Sequence, residues 1–410
     1  MRSLADWLAF IERQHPQSIA LGLDRVREVH SKLKASLACL VFTVGGTNGK
    51  GSTCAMLEAI LRAGGHRTGL YSSPHLLRYN ERVRIAGAEA SDEALAAAFE
   101  AVEAARGGVP LTYFEFGTLS AFKLFSEAKI DVAVLEVGLG GRLDAVNVVD
   151  ADCAVLTSIG IDHVEFLGAT REAIGREKAG IFRRGKPAVI ADPDPPATVL
   201  ESGANYLRIG KEFGYQDQGS QWSYWGPAGK RSGLAHPALR GAMQLRNASA
   251  AMAALDSLRE RMPIAMQDVR RGLAEVALPA RFQVLPGRPQ VVLDVAHNPE
   301  AAAVLAHNLG EGGYAPETIA VFGMLRDKDI AGVVRAVAPR ITKWNLATLP
   351  GPRGADSAFL SEVFFQLKIK TPVVKHETVP AALAAAKKEA RENDKIVVFG
   401  SFLTVAGTYG

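Results

Sequence analysis

Cysteine is scarce: Cys39, Cys54 and Cys153 are the whole complement in 410 residues. Three thiols do not frame a disulfide-stapled fold, and no pair has the C-x-x-C spacing of a redox or zinc site, so a reducing compartment is expected. A surplus of one charge is also lacking, with 47 Lys and Arg against 43 Asp and Glu and a formal net charge of +4. So even a balance argues against a general nucleic-acid binder and suits small anionic substrates. No apolar run approaches the roughly 20 residues that span a bilayer. The opening segment MRSLADWLAFIERQHP carries Asp6, Glu12 and Arg13 within its apolar pattern. It reads as an amphipathic helix and not as a secretory signal, so a cytoplasmic protein without a membrane partner is expected. No nucleophile elbow or Cys/His signature of covalent catalysis is present, and no short-period repeat.

What is there is average for a globular chain, 48% hydrophobic and 22% charged. The length exceeds the roughly 250–300 residues one core serves, so two domains are expected. LVFTVGGTNGKGS reads as a buried strand, Leu40 to Val44, running through a glycine-rich turn into a helix over 52–63. The alternation continues with a strand at 68–73, a helix at 91–106 capped by Ser91, a helix at 117–129 and strands at 131–138 and 153–160. Runs such as VAVLEV, apolar on both faces, belong in a parallel sheet covered by helices. Residues 203–240, with Trp222, Tyr224 and Trp225, break into short hairpin-like runs. Helices come next at 246–262 and 265–277, and the prolines and glycine of ALPARFQVLPGRPQ mark the expected boundary. A second alternation of strands and helices fills 291–401. The fold class is therefore α/β, a phosphate-loop domain over 1–285 followed by a second Rossmann-like α/β domain over 289–410.

The loop Thr47-Asn48-Gly49-Lys50-Gly51-Ser52 carries the strongest signal. Glycines let successive N–H groups turn toward an anion, the following helix adds its positive end, and Lys50 supplies a point charge for phosphates. The pattern departs from G-x-x-x-x-G-K-[ST], since Val44 stands at the first glycine and Gly51 follows the lysine. Ser73, Glu136 and His163 each fall at or just past the C-terminal end of an expected strand, where ligands bind in open α/β sheets. One hydroxyl, one carboxylate and one imidazole suit an ion that keeps water and phosphate oxygens, as Mg2+ does. Taken singly each has a plain alternative, Ser73 before Pro74 as a turn residue and His163 after Asp162 as a hydrogen-bonded loop histidine.

The variant GTNGKGS resembles the Mur ligase superfamily and, more closely, its bacterial bifunctional dihydrofolate synthase/folylpolyglutamate synthase family. The resemblance runs along the chain through YSSPHLLRYNERVRI (71–85), LTYFEFGT (111–118), LEVGLGGRLDAVN (135–147), TSIGIDHVEFLG (157–168), REKAGIF (176–182), LPARFQ (278–283), DVAHNP (294–299) and GSFLTVA (400–406). It implies ATP and Mg2+ as cofactors, with Ser73, Glu136 and His163 on the metal. It also implies a carbamate on Lys178, which the sequence alone reads as an exposed helical lysine. Asn247, Arg281, Asp294 and His297 are implied as nucleotide contacts, with Lys50, Lys178, His163 and Arg281 in the catalytic set. On the pterin side it implies Leu21, Gly22, Leu23, Thr112, Tyr113, Phe114, Glu115, Leu143, Asp144 and Ala145. Aromatic rings, apolar side chains and a carboxylate are what a flat heterocycle with amide-like edges needs. Two positions depart from the family: Ala20 stands where relatives carry an Asp, and Leu403 where they carry a His.

The implied reaction is ATP-dependent addition of L-glutamate, through an acyl phosphate, to dihydropteroate and to the glutamate tail of reduced folates, by a monomer. Two other readings remain open on sequence. A UDP-muramyl amino-acid ligase shares fold, loop and metal, but lacks the TYFE stretch and has an extra domain ahead of its phosphate loop. A P-loop regulatory ATPase would have no need of DVAHNP at a strand end in a second sheet.

Overall fold

The structure, a computed structural model, describes residues 2–17 and 19–409. The chain divides into two compact units, Met1–Ala238 with Leu245–Val276, and Leu239–Gln244 with Ala277–Gly410.

The first unit is built on an eight-stranded sheet. Its order is Ala88–Glu89, Val83–Ile85, Thr68–Tyr71, Val132–Glu136, Leu40–Gly45, Cys153–Leu156, Pro187–Ile190 and Asn205–Arg208. The first two strands pair antiparallel and the other six run parallel. The central strand carries apolar side chains on both faces and is buried from Val41 to Gly45, as a strand covered by helices on both sides must be. On one face, Leu4–Ile11, Asp24–Leu33, Asp92–Arg106 and Tyr113–Ala128 pack Trp7, Phe99, Phe116, Phe122 and Phe125 into the core. On the other, Lys50–Ala63 lies against Met266–Glu275 so closely that a Cβ on Gly272 would meet the Ile60 backbone nitrogen at 2.6 Å.

The expected hairpin-rich stretch is a three-stranded antiparallel meander of Gly214–Asp217, Trp222–Gly226 and Gly229–Leu234. Tyr224 O–H donates to Asp256 Oδ2 at 2.8 Å, and Arg231 donates to Asp256 Oδ1 at 2.6 Å. Asp256 lies on the Gln244–Ser257 helix, so one buried carboxylate ties the meander to the unit.

The second unit is a six-stranded sheet in the order Gln283–Leu285, Gln290–Leu293, Lys395–Phe399, Thr318–Phe322, Lys343–Ala347 and Val373–His376. All pairs are parallel except the first. Phe322, Trp344, Phe364 and Phe399 interlock at its centre, Trp344 and Phe364 edge-to-face at 4.8 Å. The boundary falls earlier than the prolines suggest, between Val276 and Ala277, because Gln283–Leu285 is an edge strand of this sheet rather than linker. Residues 239–244 also belong here, where Ala242 N–H donates to Asn308 Oδ1 at 2.9 Å. Among the described residues no helix is long and apolar enough to cross a membrane.

Asp256→Ala leaves the Arg231 guanidinium partly buried without its partner and the Tyr224 hydroxyl unbonded. The expected loss is about 3–5 kcal/mol in urea unfolding, and a change under about 1 kcal/mol would show that this carboxylate does not anchor the meander.

Candidate active site

Three central strands of the first sheet end level with one another, because Val44 pairs with Glu136 and Gly45 with Leu156. The segments leaving these strands therefore meet at one edge. After Gly45 comes the glycine-rich loop expected to bind phosphate. Gly46 has φ 143°, and a Cβ there would stand 1.9 Å from Thr157 Oγ1, so only glycine lets the loop sit this close to the next strand end. The loop is fastened to that end. Thr47 N–H donates to Ser158 O at 2.8 Å, Asn48 N–H to Ser158 Oγ at 3.0 Å and Thr157 O–H to Asn48 O at 2.6 Å. Gly160 N–H reaches Thr47 Oγ1 at 2.9 Å. Sequence reasoning gives Thr157 and Ser158 no role; their signal is a paired hydroxyl dipeptide at a strand end.

Gly49, at φ 88°, caps the Lys50–Ala63 helix, whose first hydrogen bond runs from Thr53 N–H to Gly49 O. The N–H groups of Lys50, Gly51 and Ser52 thus lie ahead of the helical ladder, at the positive end of the helix. Lys50 Nζ lies over the loop, donating to Gly46 O at 3.0 Å and Thr47 O at 3.2 Å. Asn247 is beside this loop, its Oδ1 2.7 Å from where a Gly49 Cβ would be.

Glu136, 4% exposed, ends the neighbouring strand, and Ser73 N–H donates to its Oε2 at 3.2 Å. His163 has left-handed φ 53° and stands next to Asp162, which takes the His163 N–H at 2.9 Å. Among the described residues no three His, Cys, Asp or Glu side chains gather as a complete cage. A serine bonded through its backbone to a buried carboxylate fits a hard cation that completes its shell with water and phosphate oxygens.

Lys178 lies on the Arg171–Ala179 helix but is only 5% exposed, which corrects the expectation of a solvated helical lysine. The cause is long-range packing. Arg142 grips Glu177 at 2.8 Å, Asn147 Nδ2 donates to Arg142 O and Gly180 O, and a Cβ on Gly141 would meet Lys178 O at 2.7 Å.

The three segments expected to seat a pterin lie against one another. Gly22 N–H donates to Leu143 O at 3.3 Å, and Arg25 links Ala20 O (2.8 Å) to Glu115 Oε1 (2.8 Å). The helix carrying Phe114 begins at Tyr113, not 117, because Thr112 and Glu115 form a capping box. Thr112 N–H donates to Glu115 Oε2 at 2.8 Å and Glu115 N–H to Thr112 Oγ1 at 3.2 Å, so this buried carboxylate holds the helix start and Arg25. The T-x-x-E spacing was the available signal. Phe114 packs on Gly138, where a Cβ would be 2.7 Å away, and on Tyr71 at 5.7 Å. Asp144, 3% exposed, accepts Leu139 N–H at 2.9 Å and Val146 N–H at 3.0 Å. Burial pushes its carboxyl up to about 7, against the opposing pull of those N–H groups.

In the second unit, Arg281, Asp294 and His297 gather at the end of Gln290–Leu293. The Asp294 carboxylate takes Phe282 N–H and Ala296 N–H, each at 2.8 Å, and burial raises its pKa. Phe282, held by the first of these bonds, and Ala280, whose carbonyl accepts Val295 N–H at 3.1 Å, both have positive φ and flank Arg281. The Arg281 guanidinium lies 5.2 Å over the Phe402 ring, and His297 stands 6.3 Å from the same ring. Leu403 is 43% exposed on the short Phe402–Ala406 helix.

The Mur ligase middle domain matches residues 44–255, and the Mur ligase glutamate ligase domain matches residues 280–402. Dihydrofolate synthase/folylpolyglutamate synthase of Escherichia coli (strain K12) is 45% identical over 408 residues, covering 98% of this chain and 94% of its own. That of Haemophilus influenzae is 42% identical over 429 residues, covering 98% and 96%. Among solved structures, E. coli FolC in complex with DHPP and ADP superposes with a TM-score of 0.94 at 44% identity, covering 100% of this chain and 97% of that one. A bifunctional folylpolyglutamate synthase/dihydrofolate synthase with Mn, AMPPNP and L-glutamate bound gives 0.91 at 45%, with the same coverage.

This geometry has two measurable consequences. Gly46→Ala should lose nucleotide binding and about 3 kcal/mol of stability; calorimetric titration with ADP and urea unfolding check it, and wild-type binding would refute the close approach. Asp144 binds its proton more tightly folded than unfolded, so its contribution to stability is complete below about pH 4 and fades as pH rises through about 7. Thermal midpoints should therefore decline across that window, and Asp144→Asn should flatten the decline.

Proposed function

This chain belongs to the Mur ligase family and, within it, to the dihydrofolate synthase/folylpolyglutamate synthases, and we propose how its residues carry out that family's ligation. The enzyme is an ATP-dependent ligase that joins L-glutamate to dihydropteroate and to the glutamate tail of folates. A carboxylate oxygen of the acceptor bonds to the γ-phosphorus as the bond to ADP breaks, leaving an acyl phosphate. The unprotonated amine of L-glutamate then bonds to the acyl carbon, the C–O bond to phosphate breaks, and amide and inorganic phosphate remain. No nucleophile from the protein takes part.

The observation that carries this reading is the shared strand-end edge, where the phosphate loop stands beside Ser73 and Glu136. Lys50 and the N–H groups of residues 50–52 hold the phosphates and offset charge as the phosphoryl group moves. Thr47, Asn48, Gly49 and Ser52 shape that cradle, and Asn247 braces it. A divalent metal takes part; we assign it as Mg2+ and its protein ligands as Ser73, Glu136 and His163. When bound, it neutralises charge on the phosphate oxygens. Leu21 to Leu23, Thr112 to Phe114 and Leu143 to Ala145 are proposed to seat the pterin, with Glu115 fixing their frame and Asp144 facing the ring's amide-like edge. In the second unit, Arg281 is proposed as a phosphate contact and Asp294 and His297 as polar contacts for the nucleotide.

Lys178 is proposed to carry a carbamate. The residue is enclosed in the fold, and conversion of its ammonium to a carboxylate would turn a repelling charge near a metal into an anchor. We also infer a cytoplasmic monomer, with Cys39, Cys54 and Cys153 as thiols.

The direct test is ADP release with dihydropteroate or a tetrahydrofolate as acceptor. Turnover should require both acceptor and L-glutamate; activity only with UDP-muramyl acceptors, or hydrolysis indifferent to both substrates, would overturn the reading. Lys50→Ala should lower kcat by at least about 100-fold. Intact mass should exceed the sequence mass by one CO2, and Lys178→Ala should lose both that increment and activity; an unmodified, fully active enzyme would sink the carbamate.

A further inference from the structure

Half-buried arginines in the first unit nearly all end on a carboxylate. Arg25 meets Glu115, Arg84 meets Glu58, Arg171 meets Asp192 and Arg231 meets Asp256. Among the described residues Arg82 has no acidic partner. Arg246 shares this property, but it lies one residue from Asn247, on the phosphate-loop side.

Arg82 is nonetheless firmly placed. Its Nε–H donates to His75 Nδ1 at 2.8 Å, which leaves the outer edge of the guanidinium to be filled. Its Cζ stands 5.5 Å from the Tyr79 ring and 5.5 Å from the Tyr113 ring. The nearest acid in sequence, Glu81, is turned onto the preceding loop, taking the N–H groups of Leu76, Leu77 and Arg78 at 2.6, 2.7 and 2.7 Å. A guanidinium aligned by an imidazole and partly dried by two rings is prepared for a planar anion.

Its location says which anion. Arg82 O accepts Ser72 N–H at 2.9 Å, so the residue lies across one strand from the Ser73–Glu136 pair, and Tyr113 precedes Phe114 in the pterin-side segment. The two acceptors differ here. Dihydropteroate brings one carboxylate, which reacts. A folate brings the reacting γ-carboxylate and an α-carboxylate about 5 Å from it along the glutamyl chain, a spacing close to that between neighbouring strands.

We infer that Arg82 binds the unreactive α-carboxylate of a folate's terminal glutamate, with His75 as its positioning residue, and so favours chain extension over the dihydropteroate reaction. The inference rests on the ligase reading above.

The test is steady-state kinetics of wild type, Arg82→Gln and Arg82→Lys with three acceptors: dihydropteroate, tetrahydrofolate, and the analogue with γ-aminobutyrate in place of glutamate, which keeps the γ-carboxylate and lacks the α. In wild type the analogue should have a KM at least about tenfold above that of tetrahydrofolate. In Arg82→Gln that difference should vanish, and the kcat/KM ratio of tetrahydrofolate to dihydropteroate should fall about 10- to 100-fold, with Arg82→Lys between. Ratios within one protein are insensitive to a misfolded fraction. An unchanged ratio, or equal losses with all three acceptors, overturns the inference and leaves the ligase reading standing. A wild type that turns over none of them overturns both.

Discussion

The site depends on a strand register. Val44 opposite Glu136 and Gly45 opposite Leu156 bring three strand ends level, and the glycine-rich loop, the Ser73–Glu136 pair and Thr157–Ser158 converge because of that coincidence. Slipping the central strand by one residue would exchange the faces of its side chains and move Gly46 away from Thr157. Burial on both faces is what forbids the slip: Phe42 and Val44 are wholly enclosed, and so are Val134, Val155 and Leu156 on the flanking strands. Apolar packing, which is not directional, thus sets the position of polar groups that must be.

Around that edge, the same few interactions serve folding and chemistry. Thr157 and Ser158 hydrogen-bond the half-buried backbone of the loop, and in doing so aim the start of the Lys50–Ala63 helix. Glu115 commits its oxygens to a helix cap and to Arg25, which fixes Phe114 against Gly138. Asp144 is held by two N–H groups at nearly full burial, a carboxyl whose charge state is set by its surroundings.

Much of this was legible in the sequence because it is local. Strand, glycine loop and helix at 40–63 arise from apolar periodicity and from glycines where φ is positive, and the alternation of the second sheet obeys the same rule. What was not legible is long-range. Lys178 is buried because Gly141, Arg142 and Asn147 pack against its helix from more than thirty residues away in the chain. The prolines near 286–289 read as linker, whereas antiparallel pairing of Gln283–Leu285 makes them a hairpin turn of the second sheet. Tyr224 and Arg231 look like loop residues until Asp256 is seen beneath them. The helix start at Tyr113 is the exception, a local signal in Thr112 and Glu115 that periodicity alone passed over.

The central claim is that the acceptor's own carboxylate, and no group of the protein, takes the γ-phosphoryl from the loop held at this edge. Dihydropteroate labelled with 18O in its carboxylate tests it most directly, in a single turnover with ATP and L-glutamate. An acyl phosphate requires that one labelled oxygen appear in inorganic phosphate and the other remain in the amide. Phosphate free of label, with ADP formed and the amide made, would contradict the account.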